Sequence, residues 1–99
     1  MPLDIIEYQR LAADANGREI MAGQEPRVAR QQLAVGGSAV ASQPFTDTTR
    51  FVRLHSDVPC RVEFGATPTA DAQSMRLAAG VTEFFGVAPG LRLSVITTT

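Results

Sequence analysis

Apolar and polar side chains alternate with a period of two through most of the second half of the chain. In the segment CRVEFG, residues 60–65, the cysteine, the valine and the phenylalanine share one face, and the arginine and glutamate share the other. Similar short segments follow or precede it: RFVRLH, SMRLAAG, VTEFFGV and LRLSVITTT. This period is typical of strands that bury one face, so we predict five short β-strands within residues 50–99.

Turn residues separate these segments. Residues 56–59 (SDVP) and residues 88–90 (APG) have the composition that β-turns favour. A helix of normal length would meet a proline at position 44, 59, 68 or 89. Short strands about ten residues apart indicate an all-β fold, which we predict to be a compact β-sandwich or a jelly-roll-like barrel.

The first 44 residues are harder to interpret. Residues 5–11 fit a strand that leads into a turn at Asp14–Gly17, because Asn-Gly is the strongest short hairpin signal. They also fit a helix with Asp4 as N-cap and Glu7 as its capping-box partner. We favour the strand, given the β context of the rest of the chain.

Residues 28–35 and 38–45 are split by two glycines and suit strands or an extended arm. We therefore predict one domain over residues 1–99, with a β core at 45–99. Residues 1–44 would add strands, a hairpin or an arm that packs against a neighbouring subunit.

The alternation also assigns each side chain to a face. The predicted core consists of Phe51 or Val52, Leu54, Cys60, Val62, Phe64, Met75, Leu77, Phe84 or Phe85, Val87, Leu91, Leu93 and Val95. The predicted outward-facing charged residues are Arg53, Arg61, Glu63, Arg76, Glu83 and Arg92. A solvated face accounts for this second set without any binding role.

Composition places the chain among ordinary soluble proteins. Apolar residues make up 44% of the chain, the formal net charge is -1, and all nine basic residues are arginine. A single cysteine cannot form an internal disulfide, and no apolar run approaches the roughly 18 residues of a membrane span. We expect a soluble protein made in the cytoplasm, with no membrane partner.

Candidate chemistry centres on His55 and Cys60, which are five residues apart across the turn signal of residues 56–59. These are the only histidine and the only cysteine, too few ligands for an ordinary structural zinc site. The alternation points Cys60 into the core, where a thiol behaves as a small inert hydrophobe. We expect slow reaction of Cys60 with thiol reagents and assign His55 to the surface or a turn.

Other motifs are incomplete. Residues 14–19 lack the spacing of a calcium loop, because the glycine comes too early and no bidentate glutamate ends the loop. Residues 47–49 (DTT) lack the glycine of an aspartic-protease loop, and a chain without lysine has no phosphate-binding P-loop. We predict no catalytic, cofactor-binding or metal-binding residue, and a protein that is not an enzyme.

Binding of single-stranded nucleic acid or sugar is an alternative, because small β-barrels can present aromatic and basic side chains on one face. Phe51, Arg53 and His55 fall on one face of a predicted strand. The nine arginines are, however, matched by ten acids, which nearly removes the electrostatic attraction to nucleic acid. We expect no direct nucleic-acid partner, and an acid on a neighbouring strand opposite Arg53.

The pattern of residues 48–96, about half of the chain, resembles small structural proteins of tailed bacteriophages. The similar features are a strand of the form FVRL, a second of the form V-x-FG followed by PTA, then S-x-RL-x-AG, TE-F-F-x-V and a closing PG-x-x-x-x-VI. The opening IIEYQRLAADANGREI followed by EPRVA resembles the start of such proteins.

The resemblance implies a virion component, above all a capsid decoration or cement protein on the capsid surface. Its expected partners are the major capsid protein and further copies of itself, with no cofactor. A head-tail joining or tail-associated subunit is the alternative within the virion. The free strand edges of a small all-β chain, which must be covered or paired with another copy, fit the expected homo-oligomer.

Overall fold

The computed structural model describes residues 2–98, and each secondary-structure element in that range is a β-strand. In chain order the strands are β1 (Pro2–Tyr8), β2 (Leu11–Ala13), β3 (Glu19–Gly23), β4 (Ala29–Ala34), β5 (Val40–Ala41), β6 (Phe51–Ser56), β7 (Cys60–Gly65), β8 (Met75–Leu77), β9 (Thr82–Gly86) and β10 (Arg92–Thr97). The last five match the five segments predicted from alternation, and Thr99 of the last segment lies outside the described residues.

Two antiparallel four-stranded sheets make up the body of the protein. The first sheet has the strand order β4-β1-β6-β9, and the second has the order β5-β10-β7-β8. The chain crosses from one sheet to the other after β4, β5, β6, β8 and β9, while β2 and β3 form a separate hairpin. The predicted all-β, sandwich-like fold is confirmed.

The core lies between the two sheets. The first sheet contributes inward-facing side chains from β1, β4 and β6, and the second contributes those of β7, β8 and β10. The buried cluster consists of Leu3, Ile5, Leu33, Phe45, Val52, Leu54, Cys60, Val62, Leu77, Leu93 and Val95. Phe64, Phe85, Val87 and Leu91 pack against it as predicted, but only partly buried.

Two predictions fail where a strand lies at the edge of its sheet. Met75 pairs with Val62 and so has the predicted inward phase, but it is 47% exposed because β8 is an edge strand. Glu83 was predicted to face outward, yet it pairs with the inward-facing Leu54. Glu83 therefore lies on the same, inward side of β9 as Phe85. A charged side chain is tolerated there because β9 is also an edge strand, which leaves Glu83 half-buried.

The N-terminal residues belong to the sandwich. β1 pairs with β4 on one side and with β6 on the other, and Leu3 and Ile5 are fully buried. The chain then forms the β2–β3 hairpin, with Gly17 N–H donating to the Asp14 carbonyl at 3.0 Å. Gly17 has a φ of 79°, in the region that glycine adopts freely. The turn is confirmed and the helix alternative is wrong, while the predicted strand of residues 5–11 is divided by a bend at residues 9–10 into the end of β1 and the start of β2.

One charged side chain, Glu7 of β1, is buried inside the protein with 1% of its surface exposed. Its Oε1 accepts hydrogen bonds from the Thr46 backbone N–H at 2.9 Å and from the Thr49 hydroxyl at 2.7 Å. Its Oε2 accepts one from the Gln31 side-chain amide at 3.1 Å. The carboxylate therefore ties the loop between β5 and β6 to β1, one of the two central strands of the first sheet.

Cys60 is fully buried, as predicted, with its thiol inside the core. Burial raises the pKa of this thiol above its usual 9.0, and the nearby Ser56 hydroxyl only partly opposes that rise. The protonated thiol therefore favours the folded state fully below about pH 9, and this contribution is lost as the pH rises through the folded-state pKa.

We expect a thiol reagent to modify Cys60 far more slowly in the folded protein than in denaturant, since the reactive thiolate is both rare and inaccessible. A colorimetric thiol assay at neutral pH, with and without denaturant, measures the two rates. Equal rates would contradict the burial of Cys60 and the register of β7.

Candidate interaction surface

The two residues singled out for chemistry, His55 and Cys60, lie on different faces of different sheets. Cys60 points into the core from the second sheet, whereas His55 lies on the outer face of the first. No nucleophile and base pair therefore forms between them. The His55 Nδ1 atom lies 3.0 Å from the Thr82 hydroxyl, and its Nε2 atom lies 3.4 Å from an Asp57 oxygen.

This Thr82–His55–Asp57 arrangement has the order of a nucleophile, a base and an acid. In a working triad the acid is buried and fixes the imidazole, whereas Asp57 is 61% exposed here. The contacts instead join β6 to β9 and to the turn that follows β6. Sequence reasoning missed Thr82, because it is 27 residues from His55 and belongs to another strand.

The other weak motifs have structural uses. The Asp14 carboxylate accepts hydrogen bonds from the backbone N–H groups of Asn16 and Arg18, which closes the hairpin turn. The Thr49 hydroxyl of the DTT segment donates to Glu7. Within residues 2–98, no three His, Cys, Asp or Glu side chains come together as a metal-binding group.

The most distinctive feature of the surface is an aromatic row across the outer face of the first sheet. Tyr8 of β1 stacks on Phe51 of β6, with ring centroids 5.4 Å apart and an interplanar angle of 21°. Phe51 in turn contacts Phe84 of β9, with centroids 6.0 Å apart. The row therefore runs from the centre of the sheet to its edge, on the side facing away from the core.

The β2–β3 hairpin covers the inner end of this row. A side chain at Gly23 would place its Cβ 2.4 Å from the Tyr8 ring, so only glycine allows the hairpin to approach so closely. The Tyr8 hydroxyl donates to Glu25 at 2.7 Å, and the Gln24 N–H donates to the Arg10 carbonyl at 2.9 Å. These contacts hold the hairpin against the sheet.

Tyr8 is almost fully enclosed by this arrangement. Burial raises the pKa of its phenol, and the hydrogen bond to Glu25 and the negative charge of that carboxylate raise it further. The phenol therefore stays protonated and keeps donating to Glu25 throughout the neutral pH range.

An apolar groove remains open between the hairpin and β9. Its volume is about 270 Å³, and its lining residues are Leu11, Met21, Phe51, Phe84, Phe85 and Gly86. Met21 is 86% exposed and Phe84 is 42% exposed, which is unusual for large apolar side chains so close together. Contiguous apolar patches of this kind mark interaction sites on soluble proteins.

Arginine side chains stand beside the aromatic row. Arg53 lies between Ile6 and Phe84 in register, and Arg30 lies on the far side of Ile6. No side-chain carboxylate of residues 2–98 comes within ion-pair distance of Arg53, so the predicted acidic partner is wrong. The prediction that Phe51, Arg53 and His55 share one face is confirmed.

The outer face of the second sheet is more enclosed. The loop of residues 66–74 packs over it, and the Ala70 N–H donates to the buried Ser94 hydroxyl at 2.9 Å. Arg61 donates to the Ser74 carbonyl at 2.9 Å and holds the other end of the loop. The groove on the first sheet is therefore the better candidate for an interaction surface.

Comparison of the chain with protein-family models, with curated proteins and with solved structures gives no match. The part of the chain that the structure describes contains no helix long and apolar enough to cross a membrane.

Proposed function

We propose that this protein is a bacteriophage head decoration, or cement, protein. In this proposal it binds as a homo-oligomer to the outer face of the major capsid protein and stabilises the shell. The phage context rests on the resemblance of residues 48–96 and of the opening segment to small virion proteins. The assembly role rests on the surface described above.

The observation that carries the assembly role is the apolar groove beside an open strand edge. A protein that stays free in solution gains nothing from the exposed Met21 and Phe84 side chains, whereas an assembly subunit can bury both. The two packed sheets supply a rigid support behind this surface. Such a support lets binding proceed without the cost of ordering a flexible segment.

The physical basis of cementing is mass action. A protein that binds only the assembled shell stabilises that shell, by an amount that grows with its free concentration relative to its dissociation constant. Contacts to several shell subunits at once, or oligomerisation of the cement protein itself, multiply weak individual contacts into stable attachment. A small sandwich with an exposed apolar groove and an unpaired strand edge meets these requirements.

The test compares particles assembled with and without this chain. We expect the depleted particles to assemble, but to release their DNA at a lower temperature and more readily when the salt concentration is low, because the shell loses its external cross-links. Nuclease-accessible DNA during heating measures the release. Adding the purified protein back should restore the resistance, and equal robustness of the two kinds of particle would contradict the proposal.

A different position in the virion is the nearest alternative. A head-tail joining or tail-associated subunit would be present on the order of tens rather than hundreds of copies per particle, since it follows the symmetry of one vertex. Gel densitometry of purified particles separates the two positions.

A binding module for single-stranded nucleic acid is a second candidate, and a specific observation favours it. Arg30 and Arg53 flank the aromatic row on the outer face of the first sheet, a combination that can stack bases and neutralise phosphates. The overall charge of -1 speaks against it. Oligonucleotide binding by the isolated protein that falls steeply with salt would favour this candidate over the capsid role.

A further inference from the structure

We infer that two copies of this chain associate through the open edges of β9, in an antiparallel pair related by a two-fold axis at Phe84. The pairing would join the two first sheets into one continuous eight-stranded sheet and bring the apolar grooves of both copies beside the axis. The inference specifies the contact behind the homo-oligomer of the proposed function and rests on it, but it requires no capsid.

The four sheet edges differ in how well they are protected. At the edge of β4, the Gln31 side chain reaches across to Gln43, accepting from its N–H at 2.8 Å and donating to its carbonyl at 3.2 Å. Edge strands β5 and β8 are only two and three residues long. Short or covered edges resist pairing with another chain.

β9 is neither as short as β5 and β8 nor bridged by a side chain as β4 is, although its one charged residue, Glu83, lies on the inward side. It is five residues long, its sequence TEFFG contains no proline, lysine or arginine, and it pairs only with β6 among the described strands. Strands rich in phenylalanine and threonine with an unpaired edge are the usual templates for association with a further strand. The β9 edge is therefore the one that most needs a partner.

The hydrogen-bonding phase of β9 shows which backbone groups are free. The Val87 N–H donates to the Arg50 carbonyl at 3.0 Å. The backbone N–H and C=O of Phe85, two residues earlier, therefore also point toward β6. The intervening residues Phe84 and Gly86 then direct their N–H and C=O groups away from β6, and Thr82 shares their phase. These three residues carry the unpaired donors and acceptors of the edge.

These free groups are complementary to a second copy of the same strand. With Phe84 on the two-fold axis, Phe84 pairs with its own copy and Thr82 pairs with Gly86, so that all five residues overlap and about six hydrogen bonds form. Glu83 then faces Phe85 of the other copy. A register centred on Glu83 would instead oppose two like charges, which destabilises a pair of strands.

Side chains on the outer face add to the contact. The two Phe84 rings would meet at the axis, where directly opposed Cα atoms are about 5.5 Å apart. Each ring already rests on Phe51 of its own copy, so the aromatic rows of the two copies would become continuous. Met21 and Leu11 line the groove beside the axis and can cover the rings from solvent.

The area favours a second copy as the partner. A large side chain offers roughly 150–250 Å² when fully exposed, so Met21, Phe84 and the half-buried groove walls offer on the order of 300 Å² per copy. Two copies would bury about 600 Å² of apolar side chain, which is about half of the ~1,200 Å² at the lower end of standard interfaces, and the two paired strand edges would add to it. One surface used twice therefore fits a weak dimer whose population depends on concentration.

The test measures the mass of the purified protein by sedimentation velocity over a range of concentrations. We expect the protein to reach twice its 10.6 kDa monomer mass by about 100 μM, as a micromolar dissociation constant requires. Phe84→Arg should raise the dissociation constant at least about tenfold, because it places two like charges at the axis. Met75→Arg is the matched control, since Met75 is 47% exposed on the β8 edge.

A second pair of variants tests the strand edge without changing the aromatic row. Gly86→Pro removes an outward N–H that β6 does not use, whereas Gly86→Ala keeps it and places its Cβ in open space. We expect the proline variant to be monomeric and the alanine variant to dimerise, with both showing the circular dichroism of the original protein. A proline variant that dimerises as well as the alanine variant would overturn the β9 pairing.

Two further results would also overturn it. The first is that the protein stays monomeric at all concentrations. This outcome counts against the pairing even if the β9 edge binds an extended segment of a different protein. The other is equal weakening of association by Phe84→Arg and Met75→Arg. A protein that stays monomeric would also remove the homo-oligomer from the proposed function, but not the cementing role, which the stability of particles with and without the chain tests separately.

Discussion

Glu7→Ala is expected to lower the free energy of unfolding by about 3–5 kcal/mol, a large part of the stability of a domain this small. The substitution removes the acceptor for three donors: the Thr46 N–H, the Thr49 hydroxyl and the Gln31 amide. Thr49 is itself fully buried, so its hydroxyl would lose its partner without gaining water. Each buried donor left without a partner costs about 1–3 kcal/mol.

The loss should extend to the loop that Glu7 holds. This loop carries Phe45, which is buried in the core and whose N–H donates to the Leu91 carbonyl at 2.9 Å. Without the carboxylate, the loop keeps the hydrogen bond from the Arg50 N–H to the Tyr8 carbonyl of β1 but loses its side-chain attachment, and Phe45 loses part of what keeps it between the sheets. We therefore expect the alanine variant to unfold less cooperatively at the end of the sandwich that this loop closes.

Denaturant unfolding followed by circular dichroism measures the change. Glu7→Gln is the informative partner variant, because its amide oxygen still accepts from Thr46 and Thr49, while its NH₂ opposes the Gln31 amide. We expect it to lose about 1–2 kcal/mol. Glu19→Ala, at an exposed position of β3, is the control and should change little. A Glu7→Ala variant as stable as this control would refute the anchoring role.

Local alternation predicted the strands of the second half of the chain well, because each of those strands buries one face. In β7, Cys60 and Val62 are buried and Arg61 and Glu63 lie on the other face, as their order in the sequence requires. The Asn-Gly hairpin was equally visible, since a turn depends on a few neighbouring residues. These features are local, and a local pattern suffices to predict them.

The order of the strands within the sheets was not visible, and the failed predictions follow from it. Met75 has the inward phase of Leu77, but only its place on the edge strand β8 leaves it exposed. Arg53 lies opposite Ile6 and Phe84 instead of an acid, because β6 pairs with β1 and β9. No periodicity states which strands become neighbours.

The sequence did not predict the interaction surface either, because this surface also depends on which strands become neighbours. Its aromatic row joins Tyr8, Phe51 and Phe84, which come from three strands spread over most of the chain. The Glu7 network likewise joins residues 24 to 42 positions apart. Two signals were available: Phe51 shares a strand face with Arg53, and one of the successive aromatic residues Phe84 and Phe85 must face away from the core.

Gly23→Ala is expected to cost about 1–3 kcal/mol and to displace the β2–β3 hairpin from the sheet. The added Cβ would lie 2.4–2.5 Å from three atoms of the Tyr8 ring, and that ring is itself held by Phe51 and by its hydrogen bond to Glu25. The ring cannot retreat, so the hairpin must move. Gly36→Ala is the matched control, because its Cβ would meet nothing within 4 Å.

The displacement should be visible apart from its effect on stability. The chain has one tyrosine, and its raised pKa depends on the cover that the hairpin provides and on the Glu25 contact. Alkaline titration of the phenol by absorbance should therefore give a lower pKa in Gly23→Ala than in Gly36→Ala. Self-association should weaken as well, since the hairpin carries the Leu11 and Met21 walls of the groove. If the alanine at position 23 changed neither the tyrosine titration nor the stability, close packing of the hairpin on Tyr8 would be wrong, and the groove would lack the fixed wall that makes it a binding surface.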